Sequence, residues 1–241
     1  MRLCCILFCV FEKRSYDLEI IDTDDYTPAE YEQFLREIRF INRWLGDVTA
    51  LKQTLLREIE REKKQNFSVL DVGAGAGELL RVIAKFAGKA NCQTNLCGLE
   101  LNERSCQANL EESKDFPEIK AIRGNALNLP FADASFDYVY CSLFTHHFTD
   151  DKVLEILMEM RRVARRKIFV IDLHRNKNAY LGYKLFRSIF LRGRLAKHDG
   201  LLSILRSFMP EELEDLGIKA GLKNVRVTKH TPARLVLSGE I

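Results

Sequence analysis

One stretch limits the fold more than any other: Phe67–Leu80, FSVLDVGAGAGELL, where an apolar run reaches Asp71, meets glycines at 73, 75 and 77, and passes into a helical pattern. Such a run is a buried strand that turns directly into a helix. Glycine lets the backbone turn sharply and come close to a ligand, and the free amides of the helix N-terminus favour bound negative charge. The pattern predicts a nucleotide-like ligand. The spacing is GxGxG, because Glu78 stands where the dinucleotide fingerprint GxGxxG needs its last glycine, and this weakens a nicotinamide reading. Taken alone, the loop also fits a purely structural turn.

A second feature lies one strand on. Gly98-Leu99-Glu100-Leu101-Asn102 places a carboxylate about twenty positions after the loop, where it can accept both hydroxyls of a ribose. Ligands of open parallel sheets sit beyond the carboxyl ends of the strands, so both loops belong to one rim. Strands are predicted near Val69–Val72, Leu96–Leu101, Ile119–Arg123, Tyr138–Cys141, Ile168–Leu173, Val225–Thr228 and Leu235–Ser238. Between them Glu78–Phe86, Glu103–Ser113, Asp151–Arg165 and Glu211–Ala220 have helical spacing, with Gly88 and Gly221 as C-terminal stops. Alternating strands and helices of this kind make an α/β fold around a mainly parallel sheet. Upstream, Thr27 as N-cap, Pro28 at the first helical position and Glu30 closing a capping box open an amphipathic helix, which Gly46 and Asp47 break in two. The stretch Ala179–Phe208 is too long for a connection and too apolar for an exposed loop, so it is expected to be helical and either to cover an apolar pocket or to pack as plain core.

Taken together, the glycine loop, Glu100, Gly124-Asn125-Ala126 after the third strand and the run LPFADASFD at Leu129–Asp137 resemble the class I S-adenosylmethionine-dependent methyltransferases, particularly the group that modifies quinones and polyketides. The resemblance covers roughly residues 67 to 238. It implies a Rossmann-like, doubly wound, seven-stranded and mostly parallel sheet with the last strand antiparallel, plus N-terminal helices and a helical lid insertion. It implies S-adenosyl-L-methionine as cofactor, with Asp71, Gly73, Ala74, Gly75 and Gly77 around the methionine portion, Glu100 at the ribose, Asn125 and Ala126 at the adenine, and Leu101 and Cys141 as further cofactor-binding residues. Asn125 departs from the aspartate usual there; its amide oxygen can accept from an adenine amine without charge assistance. The corresponding division is an extension over 1–26, a helical cap over 27–66 and a methyltransferase domain over 67–241, with the insertion at about 176–209.

Methyl transfer needs orientation and desolvation from the protein, and a base where the acceptor is a phenol, whose free pKa is near 10. His146 and His147, just past the fourth strand, are the candidate bases; as neighbours on extended chain they are expected to point apart, and no metal site is expected. His174 and His198 are weaker candidates. The formal charge of +3 gives no strong sign of nucleic acid, and the seven cysteines, an odd number without paired CxxC units, read as reduced thiols, hence a cytoplasmic protein. The apolar start Met1–Phe11 is only half the roughly 20 residues of a membrane-spanning helix and reads as a loosely packed extension. The expected partner is a small, apolar acceptor, a phenol, quinone or polyketide-like molecule, with the 180–208 insertion as a candidate for peripheral membrane contact. Three alternatives stay open: an RNA or protein methyltransferase, disfavoured because Ser142-Leu143-Phe144-Thr145 stands where the Asn/Asp-Pro-Pro-Tyr/Phe tetrad would be, a non-catalytic cofactor-binding module, and an NAD-dependent oxidoreductase.

Overall fold

The structure, a computed structural model, describes residues 11–23 and 25–241. Seven strands form where the apolar runs predict them: β1 Asn66–Val72, β2 Gln93–Glu100, β3 Ile119–Arg123, β4 Phe136–Ser142, β5 Ala164–Leu173, β6 Lys223–His230 and β7 Arg234–Glu240. They lie in one sheet in the order β3-β2-β1-β4-β5-β7-β6. The pairs β1–β2, β1–β4, β2–β3 and β4–β5 are parallel, whereas β7 runs antiparallel to both β5 and β6. The order reverses between β1 and β4, which makes the carboxyl ends of these strands the switch point where a ligand can enter.

Before the sheet come α1, Pro28–Trp44, and α2, which runs from Asp47–Leu51 through a π-helical turn at Lys52–Leu56 into Arg57–Arg61. The capping box forms: Thr27 accepts from the Glu30 amide and Glu30 from the Thr27 amide. Gly46, at φ +104°, makes the break between the two helices, a conformation that a side chain would strain. The buried Arg234 guanidinium grips Asp47 through both carboxylate oxygens, at 2.6 and 2.8 Å, and so ties the start of α2 to β7.

Within the βα repeats lie α3 Glu78–Lys89, α4 Glu103–Glu112 and α5 Asp150–Val163. The insertion is a helical hairpin, α6 Lys177–Phe190 and α7 Arg194–Arg206, followed by α8 Pro210–Lys219. One core joins α2 and α3 to one face of the sheet, around Leu51, Leu80 and Tyr138; the other joins α5 and α8 to the opposite face, around Val139, Leu157 and Leu213. A third, smaller cluster packs α1 against the hairpin through Ile41, Tyr183 and Ile204. Two boundaries differ from expectation. The helix expected to reach Arg165 stops at Val163, because Ala164–Lys167 pair with β4 and β7, where Arg166 and Lys167 reach Glu62 and Glu58 at 2.9 and 2.7 Å. The expected stop at Gly88 moves to Lys89, with Asn91 taking the positive φ of 51°.

The segment from Phe11 to Thr23 is strapped down along the insertion, whereas the start expected to be loosely packed, Met1–Phe11, falls but for Phe11 outside the described residues. Arg175 donates to the Phe11 carbonyl at 3.0 Å, the Ser15 amide to Leu205 at 3.0 Å, and Arg14 to Arg206 at 2.7 Å. Asp199 accepts from the amides of Ile20 and Ile21 at 2.9 and 3.1 Å. Residues 1–10, including Cys4, Cys5 and Cys9, lie outside the described residues.

Candidate active site

A cavity of about 1390 Å³ opens over the carboxyl ends of β1, β2 and β4, between the sheet and the cover made by α1, α6 and α7. Single small-molecule pockets are roughly 300–1,000 Å³. There is room for two ligands.

One end is polar. The glycine loop places Gly73, Gly75 and Gly77 at φ +75°, +51° and +75°, where L side chains are strained. Gly73 and Ala74 donate to the Leu99 carbonyl at 2.8 and 3.0 Å, which draws the loop against the end of β2. There the Glu100 carboxylate accepts from the Gly75 amide at 2.9 Å and the Asn102 amide at 2.8 Å. Space beside Gly75 is open, so a ligand can lie against the backbone there. Gly77 does something else: a Cβ on it would run into the Asn109 amide, so it admits close packing at the start of α3.

Asp71 lines the same end and is almost fully buried. Its Oδ2 accepts from Tyr140 Oη at 2.6 Å, while Oδ1 has no partner among the described residues. Burial pushes this carboxyl up to about 7; the Tyr140 hydrogen bond opposes the rise and the nearby Glu100 charge adds to it. A buried carboxylate oxygen without a donor costs free energy until one arrives.

The other end is apolar, walled by Phe34, Ile38 and Ile41 of α1 and by Tyr183, Phe186 and Ile204 of the hairpin. The histidines line the same cavity from the turn after β4. His146 and His147 sit in a short 3-10 turn, Thr145–His147, with their rings tilted at 32° and only 4.4 Å apart, so they do not point apart on extended chain. His146 Nδ1 lies 2.6 Å from Asp172 Oδ1, and Asp172 also accepts from Thr145 Oγ1 at 2.6 Å and from the His146 amide at 3.1 Å. Burial alone would raise the Asp172 carboxyl, but the His146 charge and these hydrogen bonds overcome it and hold the group at about 2. Asp172 thus orients the His146 ring through Nδ1; in the tautomer that carries its proton on Nδ1, Nε2 is the acceptor.

That Nε2 faces Glu19, 3.7 Å away, and His147 Nδ1 bonds to Asp22 at 2.9 Å. Burial lowers the His147 pKa, but the Glu19 charge and the bond to Asp22 prevail and raise it. Glu19, His146 and His147 bring one ligand atom each within 4.8 Å of one another, a grouping not expected from the sequence. Positive charge is already present: Arg206 stands 3.8 Å from Glu19 and 3.4 Å from Asp22, and donates to the carbonyls of His146 and His147 at 3.0 and 2.6 Å.

Comparison with known proteins follows the same outline. A family profile described as a methyltransferase domain matches residues 69–167. The demethylmenaquinone methyltransferase of Bacillus subtilis (strain 168) is 30% identical over 182 residues, covering 70% of this chain and 76% of that protein. The chain is a class I S-adenosylmethionine-dependent methyltransferase. The enzyme of the same name from Anoxybacillus flavithermus (strain DSM 21510 / WK1) is 27% identical over 206 residues, covering 78% and 84% of the two chains. Among solved structures, the plantazolicin methyltransferase BamL, solved with SAH and a triazolic desmethylPZN analog, superposes with a TM-score of 0.67 at 15% identity over 85% of this methyltransferase and 88% of that chain. A SAM-dependent methyltransferase from Aquifex aeolicus gives 0.61 at 16% identity, over 90% and 100%. These two likenesses are of fold.

The polar end of the methyltransferase fits its cofactor. The orphaned Asp71 oxygen suits an ammonium group, the open backbone at Gly75 suits close approach, and Glu100 can exchange amide partners for ribose hydroxyls. Of the expected cofactor residues, Asp71, Gly73, Ala74, Gly75, Glu100 and Leu101 line the cavity. Gly77, Asn125, Ala126 and Cys141 do not, Gly77 being packed against Asn109. Asn125 turns its Oδ1 back to the Leu127 amide at 3.0 Å, Ala126 is buried in the core under β3, and Cys141 is completely buried inside β4. Arg123 and Ser142, their neighbours, take the cavity positions. His174 is bridged to Phe208 and His198 bonds to Asp199 at 2.8 Å; neither lines the cavity. Sequence reasoning missed Glu19, Asp22 and Arg206 and passed over Asp172 as a partner for His146. Only Asp172 carried a usable signal, an acid ending a buried parallel strand.

Proposed function

We propose that the methyltransferase methylates a lipophilic phenol or reduced quinone, with His146 as the general base and Asp172 as its positioning residue. The observation that carries this reading is the buried 2.6 Å pair of Asp172 and His146, with His146 lining the cavity. When bound, S-adenosylmethionine supplies an electrophilic methyl group. Asp71, the 73–75 backbone and Glu100 would hold it, with exposed Leu101 offering a face to the adenine.

The acceptor's chain or ring system fits between α1 and the hairpin, where aliphatic and aromatic walls exclude water. Its hydroxyl then reaches the histidines. Proton transfer to His146 Nε2 leaves a phenolate, whose oxygen or adjacent ring carbon is the nucleophile. Asp172 keeps Nδ1 protonated throughout, so that Nε2 is free to receive. His147, held toward its charged form by Glu19 and Asp22, stabilises negative charge on the acceptor. The demethylmenaquinone methyltransferase activity for which the Bacillus subtilis and Anoxybacillus flavithermus relatives are named supports a quinone-type acceptor over nucleic acid or protein. Under this reading residues 67–241 are the methyltransferase domain, the 176–209 hairpin and the 27–66 helices cover the acceptor, and the 1–26 segment contributes Glu19 and Asp22 to the site.

The test is mass spectrometry of naphthoquinols and alkyl phenols incubated with enzyme and labelled cofactor. His146→Ala should lower kcat by about a hundredfold or more while the cofactor Kd holds. Undiminished turnover in His146→Ala removes it as the base, and methylation of RNA or protein alone would refute the acceptor class.

A further inference from the structure

The outer side of α6 has no partner among the described residues. Leu181, Leu185 and Ile189 recur at steps of four, so they share one stripe, and they are 53%, 65% and 64% exposed. Phe190, 56% exposed, extends the stripe at the helix end, and Phe40 of α1 adjoins it, with its ring 6.0 Å from that of Phe190. Exposed apolar groups scattered singly need no explanation, but a contiguous row on one helix does.

The charge around this row has one sign. Residues 174–198 contain seven Lys and Arg and no Asp or Glu. Several of these cations are used internally, since Arg175 pairs with Glu212 and Arg194 with Glu30. Lys184 and Arg192 are exposed beside the stripe, and among the described residues no carboxylate is paired with either. Apolar residues on one side of a helix with unpaired cations along their border are the pattern of a helix lying in the interface of an anionic bilayer. A protein partner covering the stripe would more commonly bring charge of both signs to its rim.

The same helix joins this surface to the site, because Gly182, Tyr183 and Phe186 line the cavity from its inner side. Phe11, which ends the apolar run Cys4–Phe11, stands edge-on to Tyr180 of α6, 5.7 Å between ring centroids, so the chain enters the described fold beside this helix.

We infer that α6 is a membrane-surface helix: its Leu181–Leu185–Ile189 stripe and Phe190 seat in an anionic bilayer, with Lys184 and Arg192 on the lipid phosphates, so that a lipophilic acceptor passes from the bilayer into the cavity. The passage of acceptor rests on the function proposed above; the seating of the helix does not.

Vesicle co-sedimentation of the full-length protein tests it. Vesicles of phosphatidylcholine with one third phosphatidylserine should bind the protein, pure phosphatidylcholine should bind it at least about tenfold less, and 0.5 M salt should release it. Leu185→Glu/Ile189→Glu and, separately, Lys184→Glu/Arg192→Glu should each reduce binding about tenfold or more. Both variants should methylate a short-chain, water-soluble naphthoquinol at the wild-type rate, which also shows that they are folded. No binding of the wild type to anionic vesicles overturns the inference, as does equal binding by the variants. So does a wild-type dimer that Leu185→Glu/Ile189→Glu dissociates, since a second copy would then cover the stripe. Vesicle binding without methylation of any quinol would leave the membrane helix standing and refute the acceptor class instead.

Discussion

Asp71 has a buried carboxyl with one oxygen bonded to Tyr140 and the other unpartnered, and it is raised from 3.8 to about 7. In the folded protein without cofactor it therefore keeps its proton across a range in which the unfolded chain has lost it. Stability from this group is full below pH 4 and is lost as pH rises through 7, up to about 4 kcal/mol in all. Asp71→Asn removes the ionisation, so the cofactor-free variant should be more stable than wild type at pH 8 and show a flatter pH dependence in urea melts. The cationic cofactor prefers the ionised form. Wild-type affinity for it, measured by calorimetry, should tighten from pH 6 to pH 8, and in Asp71→Asn it should be weaker and independent of pH. Asp71, the glycines and Glu100 were legible in the sequence because each sits within a few residues of a strand end, where local pattern fixes position. Glu19 and Asp22 were not, because in sequence they are ordinary acids in a polar stretch and only the fold brings Asp22 to a histidine 125 positions away.

Among the elements, the strap and the hairpin act as one cover, and Arg206 is the joint between them. Its buried guanidinium touches Glu19 and Asp22 of the strap and the carbonyls of the histidine turn. Arg206→Met keeps the volume but removes the cation beside buried Glu19, which keeps its hydrogen bond from Ser203 at 2.9 Å. Loss of about 3–5 kcal/mol in urea denaturation is expected, with kcat falling because the histidine turn loses its anchor. A variant as stable and active as wild type would show that the strap is not held this way. The strands were readable as elements because buried parallel strands are nearly continuous apolar runs. The polar start of β5, Ala-Arg-Arg-Lys, was hidden for the same reason: its partners are Glu58, Glu62 and Glu240, which no local window contains.

At the scale of the whole molecule, a cofactor seated at the polar end as proposed would clamp β1, β2 and their loops together at the switch point of the sheet. S-adenosylmethionine at a hundred times its Kd should add about 2.7 kcal/mol, which for a chain of this size raises Tm by roughly 5–10 °C. Scanning calorimetry reads this directly, and no shift at millimolar cofactor would contradict the polar end of the cavity as its seat. No helix among the described residues is long and apolar enough to cross a membrane. The layer plan was legible because the repeat of strand and helix dictates it; the covering of the cavity was not, because the amphipathic periods of α1 and α6 do not say which neighbours their faces meet.

The apolar wall comes from α1 and the hairpin, whereas the glycine loop and Glu100 come from the first two strand ends. Under the proposed function, recognition of what is methylated and retention of the methyl donor are thus written in separate stretches of sequence. Grafting the two covering stretches from a homologue with another appetite should retarget the catalyst without loosening its hold on the donor, a natural route by which one scaffold diversifies.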